Sequence, residues 1–178
     1  MSETLIIGTA SSGKTILVRQ LRQLTEKQPT KKKKTQVPAV SFVTKPTIGV
    51  ELDTLCITKK VSTTLREVGS SMAPMWSSYH KGCTSVIFLV DSSNHSMLPE
   101  AAVELWQTLE SENIENKPIL VLASKIDVPS LLSEADLLQY LKVTEAQESY
   151  SSTIDMMYVN LTLQEDCQRV LDWLKEKV

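Results

Sequence analysis

No apolar run in this chain is long enough to cross a bilayer. The densest, "SVIFLV" at Ser85 to Val90, falls far short of the roughly 20 residues a spanning helix needs. Cysteine is scarce, and Cys56, Cys83 and Cys167 form no Cys-x-x-Cys pair. An odd set cannot close completely into disulfides, so a reducing, cytoplasmic home is expected. Charge of one sign is missing as well: 19 basic and 21 acidic residues leave a formal charge of -2. No global field gathers nucleic acid or anionic lipid, and no nucleic-acid partner is expected. Arginine is limited to Arg19, Arg22, Arg66 and Arg169, two of them on one expected helix. That disfavours a nucleoside monophosphate kinase, whose phosphoryl transfer generally needs clustered arginine clamps. Ser2 stands where N-myristoylation requires glycine, "KEKV" lacks the cysteine that prenylation needs, and "MSETLIIG" has no basic n-region. No direct lipid anchor is expected.

What is present suits one globular domain over residues 1–178, with 42% apolar residues and no internal repeat. Short β-rich runs alternate with helical patterns: "TLIIG", a helix from Lys14 to about Leu24, and "VELDTLCIT" with "VSTTLREV" as a hairpin across Lys59 and Lys60. Then come a short helix near Pro74 to Tyr79, "SVIFLVD", a helix near Glu100 to Leu109, "PILVLAS", a helix near Leu131 to Leu141, "DMMYVN" and a terminal helix. Cys167, Val170, Leu171 and Leu174 repeat at i, i+3, i+4 and i+7, the stripe that docks that last helix on a core. Continuous apolar strands between helices predict an α/β fold: a mostly parallel six-stranded sheet with one antiparallel strand, covered on both faces. The one compositional break is a loop at about 25–44, containing Pro29, Lys31 to Lys34 and Pro38; its lysines read as a solvated run.

Chemistry begins where the first strand ends. "GTASSGKT" fits G-x-x-x-x-G-K-[ST] between a strand and a helix, and assigns Gly8, Thr9, Ala10, Ser11, Ser12, Gly13, Lys14 and Thr15 to a phosphate cradle. Glycines let backbone N–H groups wrap the phosphates, and the helix N-terminus adds its positive end. Lys14 would meet the β and γ oxygens and Thr15 would hold Mg²⁺. Farther on, "VLASKID" ends another strand with Asp127, and a carboxylate, which only accepts, suits the N1–H and amino group of guanine. Lys125 can lay its stem along the base.

These motifs resemble those of Ras-superfamily GTPases, and of the Arf-like branch in particular, over nearly the whole chain. "KPTIGVEL" is similar to that branch's first switch, "REVGSSMAPMWSSYHKG" to its second and "RVLDWLKE" to its final helix. The resemblance implies a GTP/GDP switch that needs Mg²⁺, recruits protein effectors and is served by activating and exchange proteins. It places Thr47 over Mg²⁺ and the γ-phosphate, Glu67 on the metal through water, and Gly69 or Ser70 against the γ-phosphate through a backbone N–H. Leu161 would serve the guanine oxygen, again through its N–H.

Departures from the family pattern carry their own expectations. Ser71 falls where the water-orienting glutamine usually stands, so intrinsic hydrolysis should be weak and no catalytic residue is assigned. A scaffold with negligible turnover is the neighbouring alternative. Ser124 replaces an asparagine, which would lose an amide able to brace the loop. Few residues precede the first strand, so Arf-style lipid switching through an N-terminal helix is not expected. Trp76 and Tyr79, three apart, favour one face of a short helix. With Thr47 they are the candidate effector contacts, with core packing for at least one as the alternative.

Overall fold

The computed structural model describes residues 2–26, 40–58, 61–129 and 132–177. Its strands are β1 (Ser2–Gly8), β2 (Val50–Cys56), β3 (Ser62–Val68), β4 (Ser85–Asp91), β5 (Ile119–Ser124) and β6 (Ile154–Val159). They form one sheet in the order β2-β3-β1-β4-β5-β6. Only β2 with β3 is antiparallel; the other four pairings are parallel.

Alternate residues of each central strand go to opposite faces, and both faces are dry. Leu5 and Ile7 of β1 join Val86, Phe88 and Val90 of β4 in one core, while Ile6, Ile87 and Leu89 belong to the other. That is why these strands read as unbroken apolar runs. Helix α1 (Lys14–Glu26) and the last helix, α6 (Gln164–Lys177), cover the second face; Cys167, Val170, Leu171 and Leu174 are all fully buried there. The first face is covered by α3 (Leu98–Leu109), α4 (Glu134–Tyr140) and α5 (Val143–Ser149). The α/β class, the mixed six-stranded sheet and the two-sided helical cover are therefore as expected.

Register positions the chemistry. Ile6 lies beside Glu67, Gly8 beside Leu89, Asp91 beside Ser124, and Ser124 beside Val159. The carboxyl ends of β1, β3, β4, β5 and β6 thus share one edge, the side on which open α/β sheets bind ligands.

Local structure differs from the sequence reading in four places. The segment after Gly69 is a 3₁₀ turn, Ser70–Met75, followed by a single α turn, α2 (Ser77–His80). Pro74 inside it has no N–H to give an α-helical ladder. The first helix runs on to Glu26, so Thr25 is helical rather than part of the loop. Helix α4 starts at Glu134 because Ser133 and Asp136 form a capping box, and Lys142, left-handed at φ 54°, separates it from α5, which periodicity did not reveal. Lys31 to Lys34 and the Lys59–Lys60 turn lie outside the described residues. No described helix is long and apolar enough to cross a membrane.

Candidate functional site

Between β1 and α1 the chain takes conformations that most side chains avoid. Gly8 has φ 138°, and a Cβ there would lie 2.1 Å from the Leu89 carbonyl oxygen; Gly13 has φ 95°. Those two glycines therefore set the loop's path. Ser11, also left-handed at φ 59°, sits at its exposed crest. Lys14 folds back beneath the loop, its Nζ donating to Gly8 O at 2.7 Å and Thr9 O at 2.8 Å. Burial pushes its ammonium down to about 8, against the opposing pull of Glu67 and then Glu104. A cation held inside an amide-lined turn is a ready anion partner.

The hydroxyls expected to hold Mg²⁺ converge on one carboxylate oxygen. Thr15 Oγ1 donates to Glu67 Oε1 at 2.6 Å and Thr47 Oγ1 donates to the same atom at 2.8 Å, the two hydroxyl oxygens lying 3.2 Å apart. The additional methylene of glutamate relative to aspartate lets this side chain, almost fully buried, touch both hydroxyls directly. Two hydroxyls and one carboxylate form a hard oxygen set of the kind Mg²⁺ accepts, since it keeps several waters and takes few carboxylates. Gly69 closes the same corner: its N–H donates to Gly49 O at 3.0 Å, and a Cβ on it would lie 2.3 Å from Thr47 O. With the Gly69 amide used in this way, Ser70 N–H stands at the first position of the 3₁₀ turn, where an amide has no intrahelical acceptor.

A cavity of about 340 Å³ lies over this corner, lined by Ala10, Ser11, Ser12, Gly13, Lys14, Thr15, Thr47, Glu67, Gly69, Ser70 and Lys125 among others. Gly8 and Thr9 lie behind it. Lys45 also lines it and was missed by sequence reasoning, although its place beside the Pro46–Thr47 pair was a signal. No arginine does so among the described residues. Arg19 holds the Ser41 and Val43 carbonyls, Arg22 pairs with Glu26, Arg66 grips Glu3 through two 2.8 Å bonds, and Arg169 pairs with Asp166. Arg66 also stacks on Tyr79, its guanidinium 5.5 Å from the ring centroid, and so is held away from the phosphate corner.

The base-side residues are only partly gathered. Ser124, fully buried, donates to Ser12 O at 2.7 Å and approaches Val90 O at 3.1 Å, so the expected loss of a brace is corrected: a hydroxyl does that work. Lys125 pairs with Asp91 at 2.6 Å, and Leu161 packs against Gly13 while its carbonyl accepts from Gln20. Asp127 is not in the phosphate cavity. It is exposed and lines a neighbouring cavity of about 350 Å³ with Ser133, Leu137 and Tyr158.

The surface candidates divide. Trp76 is a core residue, 3% exposed, edge-on to Phe88 and donating to Gly69 O at 3.3 Å, which corrects its place among the effector contacts. Tyr79 is half-buried and Ser71 exposed, away from the cavity lining. Beside Thr47 the structure instead exposes Val43, Leu52 and Ile48, the last at 92%. The outward place of Leu52 in the alternation of β2 was the available signal.

Comparison with known proteins gives a consistent result. The profile of the ADP-ribosylation factor family matches residues 2–178. The chain is 28% identical over 171 residues to human ADP-ribosylation factor-like protein 16, covering 96% of this chain and 83% of that protein. It is 29% identical over 172 residues to ADP-ribosylation factor-like protein 1 of Saccharomyces cerevisiae, covering 96% and 84%. Its fold is similar to that of the Arl6 BBS3 small GTPase from Trypanosoma brucei, solved with the nucleotide analogue GppNp, at a TM-score of 0.79 and 23% identity, covering 98% and 95% of the two chains.

Proposed function

Because the chain belongs to the ADP-ribosylation factor family, we propose that residues 1–178 act as a single GTP-binding switch in the cytoplasm, on when GTP is bound and slow to turn off unaided. The observation that carries this reading is the Thr15, Thr47 and Glu67 cluster, closed from behind by Gly69. Residues from the phosphate loop, the 40–49 segment and the end of β3 meet at one point, so a γ-phosphate and its metal would bias all three together. Ala10 to Lys14 supply the phosphate cradle, and Lys14 the cation for the β and γ oxygens. Thr15, Thr47 and Glu67 would hold Mg²⁺, which neutralises phosphate charge when bound. Ser70 N–H would meet the γ-phosphate. Asp127, Lys125 and Leu161 are assigned to guanine, with Asp127 turning in from its neighbouring cavity.

Hydrolysis is the weak point of such a switch. Ser71 is short and is not among the residues lining the cavity, and Arg66 is pinned to Glu3. Positioning of water and charge stabilisation, which supply most of the catalysis in this chemistry, must come from a partner. Single-turnover hydrolysis of preloaded protein should be slow and accelerate only with an activating protein. Fast turnover by the protein alone would overturn the reading of Ser71. Effectors of the GTP form would meet Thr47 and Tyr79 together with the exposed Ile48 and Leu52.

The base assignment has its own test. Freshly purified protein, denatured, should release guanine nucleotide. Asp127→Asn should shift preference from GTP toward xanthosine triphosphate by about 10-fold or more, because an amide can donate to the oxygen that xanthine presents. Adenine nucleotide alone, or an unchanged preference, would sink it.

A further inference from the structure

Beneath the Ser70–Met75 turn lies a second polar opening that the nucleotide site does not use. It is a cavity of about 130 Å³ between that turn, α2 and α3. Pro74 and Trp76 wall one side; Glu104, Gln107 and Thr108, spaced to share a face of α3, wall the other; His80 lies at its base. His80 is 2% exposed, and among the described residues neither of its ring nitrogens has a hydrogen-bond partner. Glu104 also lines the cavity, and its buried Oε2 has none either.

Buried polar atoms in native proteins are nearly always paired, and leaving one unpaired costs about 1–3 kcal/mol. Three unpaired polar atoms on two residues that line one small cavity therefore call for an occupant. A neutral imidazole offers one acceptor nitrogen and one donor, and a carboxylate offers acceptors only. The opening thus presents an excess of acceptors beside an indole and a proline ring. Water can fill the acceptors, but it carries no net charge to set against the carboxylate and no flat face for the apolar wall. A planar cation with several N–H groups gains from both the acceptors and the apolar wall.

We propose that this cavity is a binding slot for a guanidinium or amidinium group, received by the Glu104 carboxylate and the acceptor nitrogen of His80. The group can come from an arginine side chain of a docked protein or from a free small molecule. Either would touch Pro74 and Trp76, in the turn that follows Gly69.

The test is a titration of the whole protein, followed through the ¹⁵N resonances of the His80 ring. At pH 8, where the Glu104 carboxyl is ionised, methylguanidinium should produce a saturable shift at millimolar concentration. Urea, similar in shape but uncharged, should bind about 10-fold more weakly or not at all. Glu104→Gln, which preserves shape and removes charge, should weaken methylguanidinium by about 10-fold. A peptide, acetyl-Gly-Arg-Gly-amide, identifies the source: tighter binding than methylguanidinium points to a partner's arginine, and weaker binding to a free ligand. An equal response to urea, no saturable shift, or unchanged affinity in Glu104→Gln would overturn the proposal. The urea comparison needs no variant, so a folding defect in Glu104→Gln leaves the test intact.

Discussion

Lys14→Ala should weaken GTP binding at least about 100-fold, roughly 2.7 kcal/mol, while leaving the thermal midpoint of the nucleotide-free protein within a few degrees of wild type or above it. The two halves have different causes. Affinity falls because Lys14 is the side-chain cation assigned to the β and γ oxygens, and a charge-assisted bond in a partly desolvated cradle is a strong one. Stability should hold because Lys14 is only 7% exposed and burial already lowers its affinity for a proton. Removing it relieves that desolvation, and Thr9 O keeps its bond from Ser12 Oγ at 2.8 Å. Calorimetric titration of GTP and thermal unfolding without nucleotide separate the two effects. A large fall in midpoint with affinity preserved would make Lys14 a structural residue.

Gly69→Ala should abolish the Mg²⁺-dependent slowing of nucleotide release, speeding dissociation about 10-fold or more when metal is present and little when it is absent. The backbone at Gly69, φ -59° and ψ 145°, is open to alanine, so the cost is wholly steric. Its new Cβ would lie 2.3 Å from Thr47 O and 3.2 Å from Thr47 C, both backbone atoms with nowhere to rotate. The 47–49 segment must retreat, taking the Thr47 hydroxyl away from Glu67 and breaking the Gly69 N–H bond to Gly49 O. Trp76 reports the same event, because its indole donates to Gly69 O. Gly49→Ala is the control. It is left-handed at φ 88° but has nothing within 4 Å of a new Cβ, so it should cost about 1 kcal/mol of stability and leave metal dependence intact. Equal behaviour of the two variants would show that closure does not depend on that contact.

The sheet, the terminal helix and the phosphate loop were legible because their signals are local. Apolar runs, the Cys167 to Leu174 stripe and the Gly8 to Thr15 spacing each lie within one segment. What escaped depends on distant partners. The Ser124 brace needs Ser12, 112 positions away; the reach of Glu67 needs Thr15 and Thr47; the burial of Trp76 needs Phe88. Composition alone could not reveal that Ser124 does the work expected of a longer amide. Nor could it place Asp127 in a cavity shared with Tyr158, since the turn that begins at Lys125 has a left-handed start that no nearby glycine announces.

His80 and Glu104 carry one more consequence, for acid tolerance. Burial, with Lys117 adding to it, depresses the His80 imidazole to about 4. Burial, then Glu100, raises the Glu104 carboxyl to about 7, with Lys14 pulling the other way. An unfolded chain would protonate His80 below about 6.5 and ionise Glu104 above about 4.5. Stability through His80 is thus lost as the medium acidifies from 6.5 to 4, and through Glu104 as it becomes alkaline from 4.5 to 7. Between pH 4.5 and 6.5 the two slopes have opposite signs and nearly cancel, so the contribution of this pair to the unfolding free energy stays almost flat over that range. Glu104→Gln removes one slope: relative to wild type it should lose about 1.5 kcal/mol between pH 6.5 and 5, measured by urea unfolding at each pH. Parallel pH profiles for the two proteins would show that the titrations are not set against each other.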